Sequence, residues 1–279
     1  MLRPQTRDIR SFWHTTALAA TAGAGEGALS LFLDYALRFL RLALLLSVWR
    51  VILFPPDGAP SGGAPAPAAL GGMTPEGILT YTLIAGVCAD PLAARTRLEL
   101  TLWDGSIAAR LLRPFNLVAQ IAAEMIGGWL PGLLLFSLPI LLLAPVLGVD
   151  PRPAGPAAAL LFPLSLALGV TVGMAVDFLL CALMVSFGWA VWEVERWRTA
   201  LSTVLSGALL PLAVLPWNLG EVLVWLPFAA MAWAPLSVYT GTGDPRLLLT
   251  AQVLWAAVLW GLARHLWRRS RQKAVIYGG

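Results

Sequence analysis

Several apolar runs, each about long enough to cross a bilayer, are joined by short polar segments, and the arginines gather at alternate joints. A helix needs about 20 apolar residues to span the hydrocarbon core. Backbone groups in lipid must also be satisfied within the segment, so runs of this kind fold as helices. The 279 residues are 58% hydrophobic and 12% charged, against about 25% charged in an ordinary soluble domain. That length bounds one bundle of about six spans and leaves no room for several soluble domains. The expected fold class is an all-α membrane protein, with 1–279 forming a single transmembrane domain.

A net charge of +4 and an isoelectric point near 9.6 raise nucleic acid as a partner. The distribution argues against nucleic acid, because the arginines cluster at the ends of apolar segments and make no soluble basic face. Of the 19 basic residues, all but Lys273 are arginine. Cys88 and Cys181 both fall inside apolar segments and read as small core residues, not as a disulfide framework. Arg3, Arg7 and Arg10 resemble the basic head of a signal peptide, but no run of Leu or Val follows. The stretch is therefore expected to be retained, with 1–34 cytoplasmic or interfacial.

The first span is expected from Tyr35 to Phe54, with Arg38 and Arg41 snorkelling back to the headgroups from its first two turns. The loop Pro55–Thr74 is rich in Pro, Gly and Ala and carries no basic residue, which is the composition of an outside loop. The second span runs from Pro75 to Ala94, with a break or kink at Asp90-Pro91. A charged segment over 95–116 follows. The third span, Leu117–Val146, contains Pro131 and Pro139, tolerated where neighbouring helices satisfy the freed carbonyls. Between Ala154 and Trp192 only Asp177 is charged, which gives one span over Pro163–Ser186 with interfacial ends. Trp189, Trp192 and Trp197 then form an aromatic belt beside Arg196 and Arg198.

Two shorter apolar pieces come next, Ala200–Leu215 containing Pro211 and Val222–Val238 containing Pro227 and Pro235. The polar turn Trp217-Asn218-Leu219-Gly220-Glu221 separates them. The last span, Leu247–Ala263, leads into a basic tail over 264–279 that the positive-inside rule keeps in the cytoplasm. With the N-terminal arginines also inside, the number of crossings is even, and a re-entrant Val222–Val238 makes it six. Only Arg50, Arg152 and Arg246 then lie outside, against 16 basic residues inside. A multi-pass protein of a bacterial inner membrane is expected, with both termini cytoplasmic.

No G-x-x-x-x-G-K-[ST] phosphate loop is present, and the two histidines, His14 and His265, lie at opposite ends of the chain with no H-E-x-x-H pair. No catalytic, metal or cofactor-binding residue is expected, so any work must be driven from elsewhere. The most specific stretch is Trp103 to Asn116. Asp104 or Ser106 can cap a short helix whose apolar face carries Ile107, Leu111 and Leu112, and Pro114 ends it. Arg110 and Arg113 share its polar side. Such a helix either lies on anionic lipid or docks a soluble partner.

The pattern Gly105-Ser106-Ile107…Leu111-Leu112-Arg113-Pro114 resembles the export permeases of the ATP-binding-cassette type-2 superfamily, and within it the small six-span group allied to daunorubicin-resistance-type transporters. Leu-Ser-Gly-Ala-Leu-Leu-Pro-Leu (205–212), Leu-Pro-Phe-Ala (226–229) and Ala-Pro-Leu-Ser-Val-Tyr-Thr-Gly (234–241) are similar to it too. The Ala/Gly-rich stretch Thr15–Ala28 departs from the regular amphipathic entry helix of that family. The resemblance implies a half-transporter, paired with an identical or related permease and seated on separate ATPase subunits that bind ATP and Mg. It makes 98–113 the coupling helix, with Trp103, Asp104, Gly105, Ile107, Arg110, Leu111, Arg113 and Pro114 on the ATPase contact. It makes Ala200–Val238 the outward re-entrant feature.

Asp177 is the sharpest single residue. A carboxylate near a helix centre costs about 2.5–3.5 kcal/mol on insertion scales, so it must face the bundle interior or a cavity. It either receives a cationic substrate or pairs internally, with Arg50 or through interhelical hydrogen bonds. Candidates for the translocation path are Asp177, Glu124, Arg50, Pro211, Trp217 and Asn218, with a structural interfacial role open for Glu124 and snorkelling for Arg50. Gly127-Gly128 and Gly169-x-x-x-Gly173 permit close helix approach. Two other classes remain: a stand-alone carrier driven by protons through Asp177 and Glu124, and a scaffold that transports nothing.

Overall fold

The computed structural model describes residues 5–25, 27–54, 70–113 and 115–277. Pro114 and most of the Pro55–Thr74 loop lie outside the described residues. The first helices are α1 Gln5–Ala24, α2 Ala28–Leu53, α3 Pro75–Val87, α4 Ala89–Ala93, α5 Leu98–Trp103 and α6 Ser106–Leu111. Then come α7 Leu117–Gly132, α8 Leu138–Leu143, α9 Pro156–Phe187, α10 Val191–Leu205, α11 Leu219–Leu223, α12 Trp233–Thr240 and α13 Pro245–Tyr277. Among the described residues no strand forms beyond an isolated bridge between Leu70 and Met73.

Among the described residues, three helical stretches are long and apolar enough to cross a membrane: Leu117–Leu143, Pro156–Phe187 and Pro245–Arg269. α9 is the axis, and α13, α12 and α10 pack along it. Two hydrophobic cores share it. One gathers Tyr81, Trp233, Leu236 and Phe136 toward its N-terminal end. The other gathers Leu98, Leu102, Phe178 and Met184 toward its C-terminal end.

The boundaries depart from the sequence expectation where polar residues sit inside helices. α2 begins at Ala28, before the expected Tyr35, because the chain leaves α1 at Gly25 and restarts at Gly27, whose carbonyl accepts the Ser30 hydroxyl at 2.7 Å. The stretch that departs from a regular entry helix is helical through Ala24 and lies against α7. Its small residues are what permit the contact: a Cβ on Gly127 would meet the Thr16 carbonyl oxygen at 2.3 Å and the Ala19 Cβ at 2.7 Å.

The expected break near Asp90-Pro91 falls at Cys88, between α3 and α4. Pro91 has no N–H to give the Val87 carbonyl. The Ser137 hydroxyl, from the next span, donates to that carbonyl at 2.7 Å instead. Between α7 and α8 the residues Leu133–Ser137 form a single π-turn, in which the Leu138 N–H reaches the Leu133 carbonyl just ahead of Pro139.

The last third corrects the sequence reading most. Ala200–Leu215 is not one helix: α10 starts at Val191 and stops at Leu205. Val222–Val238 is helical only from Trp233, apart from the end of the short α11, with turns over 224–232. The Trp233 N–H donates to the Ser206 carbonyl at 2.8 Å, so α12 resumes where α10 stops. The 27 residues between α10 and α12 make an excursion toward the N-terminal end of α9 and back. On the way a Cβ on Gly71, just ahead of α3, would overlap the Ala213 carbonyl. α13 continues as one helix through the expected basic tail.

Candidate functional site

The connection from α4 to α5 is held by a buried ion pair. Asp177 on α9 accepts the Arg198 Nε of α10 at 2.5 Å, with side chains 4% and 6% exposed. The other Asp177 oxygen accepts the Thr96 backbone N–H at 2.8 Å and the Thr96 hydroxyl at 2.9 Å. Arg198 Nη2 donates to the Ala93 carbonyl at 3.0 Å. One ion pair thus ties α9, α10 and the turn at 93–97.

That turn is strained. Ala94 and Arg97 adopt left-handed φ of 46° and 52°, a conformation costing roughly 1–2 kcal/mol for a residue with a Cβ. The strain aims Thr96 N and Oγ1 at Asp177. α9 reaches the turn because position 173 is glycine: a Cβ there would lie 2.5 Å from the Ala94 Cβ. Removing two charges from water costs several kcal/mol each, offset only by good geometry and extra hydrogen bonds. Asp177 has both, while Arg198 Nη1 is buried without a partner among the described residues. Arg95 adds a second tie to α10, 3.5 Å from Glu195 and hydrogen-bonded to the Thr199 hydroxyl. Beside it, burial pushes the Glu99 carboxyl above its ordinary range, reinforced by the charges of Asp177 and Glu195.

Beyond the turn, the segment expected as one helix is two, α5 and α6, hinged at Gly105 with φ 71°. Asp104 accepts the Ser106 N–H at 2.9 Å, and that bond holds its carboxyl below the usual range. Ile107 is buried and Leu111 half-buried, but Leu112 is 87% exposed and not on the buried face. Trp103 is exposed, its ring 5.1 Å from that of Trp192. Arg110 turns away from Arg113: its Nη1 donates to both Glu124 oxygens on α7, at 2.8 and 2.7 Å. Arg113 is exposed.

The six candidates for the path do not form one site. Asp177 is joined to Arg198, not to Arg50, and Glu124 to Arg110. Arg50 borders a cavity of about 750 Å³ with Glu76 and Asp150, near the start of α9. At 1.5 Å per residue that is about 30 Å along α9 from Asp177. Pro211 is buried, while Trp217 and Asn218 are exposed in the excursion, both with φ of 57°.

Sequence reasoning missed a second ionic cluster. Arg38 bridges Asp34, one turn back on α2, at 2.8 Å and Asp90 on α4 at 2.7 Å. The i,i+4 spacing of Asp34 and Arg38 was legible, but the tie to Asp90 needs the packing of α2 on α3 and α4. The cluster borders a cavity of about 420 Å³ between α2, α3, α4 and α10, whose walls include Leu42, Thr82 and Ser202.

Residues 64–278 match the family described as ABC-2 family transporter protein. No curated protein and no solved structure matches the chain.

Proposed function

Because the chain belongs to the ABC-2 family of transporter proteins, a multi-pass membrane family, we propose that it is the permease subunit of an ATP-binding-cassette exporter in a bacterial inner membrane. ATP and Mg bind on a separate ATPase subunit, and a second permease, identical or related, completes the transporter. The observation that carries this reading is the family match over most of the chain. Supporting it is the placement of α5 and α6 at the C-terminal end of α9, clamped to α9 and α10 through Asp177 and Arg198.

The topology we favour has six crossings: α2, α3 with α4, α7 through α8, α9, α10 with α12, and α13. The fifth is a broken span. α10 and α12 have 15 and 8 residues, together about 35 Å of helix, enough for a hydrocarbon core of about 30 Å. The excursion between them is then the re-entrant feature on the outer side. Both termini and 95–113 are cytoplasmic by the arginine bias. α2 exposes an apolar face along its length, with Leu33, Leu37, Leu44, Val48 and Val51, suited to lipid or to the second permease.

The substrate class we favour is amphipathic, since the cavity beside Arg38 mixes charged and apolar walls. A cation at Asp177 loses support, because Arg198 already neutralises that carboxylate. The proton-driven carrier loses support for the same reason, both its carboxylates being engaged by arginine. In this reading α5, α6 and the bundle move as one body when the ATPase pair closes. Affinity purification in mild detergent tests it. A stoichiometric nucleotide-binding subunit is expected, retained by wild type and lost on Arg113→Glu with Trp103→Ala. A chain that elutes alone, without ATPase activity, would refute it.

A further inference from the structure

A third cavity, of about 570 Å³, opens beside the start of α7, and the transport reading uses only its α6 edge. Its walls come from three parts of the chain, one of them Phe178 of α9. The α6–α7 connection supplies Arg110 and Arg113, and α13 supplies Trp260, Arg264 and Trp267. Positions 260, 264 and 267 lie on one helical face, packed on Phe178 of α9 with ring separations of 5.3 and 6.0 Å. Arg264 is therefore held on a face anchored by two tryptophans.

The charge is unbalanced. Glu124 engages Arg110, but the guanidinium groups of Arg113 and Arg264 make no ion pair or hydrogen bond with any described residue, and no acidic side chain lines the cavity. The cavity also sits at a defined depth. The apolar run of α7 begins at Leu117, on its wall, and that of α13 ends at Ala263, also on its wall and one residue before Arg264. Those are the ends of two spans, where headgroups lie and where Trp is favoured. A basic cavity between helices at headgroup level, with apolar walls running toward the hydrocarbon, has the chemistry of an anionic phospholipid site.

We propose that the cavity bounded by Arg113, Arg264, Trp260 and Trp267 binds one anionic phospholipid, its phosphate between the two arginines and its chains along α7 and α13. The apolar half of the wall selects a lipid over a free anion. Arg113 is shared with the proposed ATPase contact, whereas Arg264 on α13 is not, so loss of lipid on Arg264→Gln reads the site independently of the ATPase.

The test uses the full-length chain, delipidated in detergent and titrated with dioleoyl phosphatidylglycerol or dioleoyl phosphatidylcholine under native mass spectrometry. Phosphatidylglycerol is expected to be retained preferentially. Arg113→Gln and Arg264→Gln should each lower that retention about fivefold, the equivalent of about 1 kcal/mol per basic residue near an anionic surface. Arg196→Gln removes an exposed arginine on α10, outside the cavity, and should change nothing. Equal retention of the two lipids, or an equal loss on Arg196→Gln, overturns the proposal. Displacement of the lipid by millimolar inorganic phosphate also overturns it, in favour of a free-anion site. A photoactivatable phosphatidylglycerol gives a readout without substitution: crosslinks are expected at 260–267, and crosslinks confined elsewhere overturn the assignment.

Discussion

Asp177→Ala is the most informative single change, because it separates a buried ion pair from an ordinary interhelical hydrogen bond. It leaves the Arg198 guanidinium buried with only the Ala93 carbonyl as partner, and it orphans two donors of Thr96. Breaking a buried pair in this way costs about 3–5 kcal/mol. Arg198→Ala should fall near the lower end, about 3 kcal/mol, since Asp177 keeps both Thr96 donors. The double variant buries no charge at all. What remains is the unsatisfied Thr96 N–H and Ala93 carbonyl, about 1–3 kcal/mol each. The two single changes together cost about 6–8 kcal/mol and the double about 2–6, so at the midpoints the cycle should close with an interaction energy of about 3 kcal/mol. Unfolding in mixed detergent micelles, followed by tryptophan fluorescence, measures it. An interaction near 0.6 kcal/mol, the usual size for interhelical hydrogen bonds in membranes, would refute the argument that burial makes this pair exceptional.

Three further perturbations test other parts of the packing. Glu99 has a raised pKa in the folded state, so its contribution is fully favourable below the ordinary Glu value and is lost as pH rises from there through the folded value. Glu99→Gln should raise thermal stability at pH 7.5 and flatten that decline, with Asp177, Glu195 and Arg95 the charges facing it; unchanged pH dependence counts against its burial. Gly127→Val should cost about 1–3 kcal/mol and free α1 from α7, seen as faster proteolysis within α1, because a Cβ already meets the Thr16 carbonyl at 2.3 Å. Ser137→Ala should cost about 1–3 kcal/mol by orphaning the Val87 carbonyl, whereas Ser47→Ala, on an exposed hydroxyl of α2, should be nearly neutral.

The sequence announced the cost of each buried charge but not its partner. Asp177 was marked by standing alone in a long apolar run, and helical burial of that position follows from pattern alone. Its partner Arg198 sits 21 residues on and Thr96 is 81 residues away. Arg198 reads as interfacial because Glu193, Glu195 and Arg196 surround it. Only the face shared with Val191 and Val194, both buried, turns it inward. The two glycine patterns were legible as close approaches because Gly has no alternative use there. What they approach was not legible: Gly127 meets α1, and Gly169 meets the Met231 carbonyl of the broken span at 2.6 Å.

The broken span shows why apolar runs alone misplace helices. Counting hydrophobicity starts a helix at Ala200, where charge ends, but α10 begins at Val191 because one buried stripe suffices to hold an amphipathic turn. The same count carries the helix to Leu215, past Gly207 with φ 78°, where the backbone turns instead. Irregular backbone inside an apolar body persists only when its polar groups are met. Here the Tyr81 hydroxyl donates to the Gly207 carbonyl at 2.7 Å, the Trp233 N–H takes the Ser206 carbonyl, and the Gln252 amide takes the Ala230 carbonyl at 2.8 Å. Each of those donors comes from a segment outside the run being counted. A window along the chain therefore registers the hydrophobicity of 200–215 and not the two partners, Tyr81 and Trp233, that let it stop being a helix.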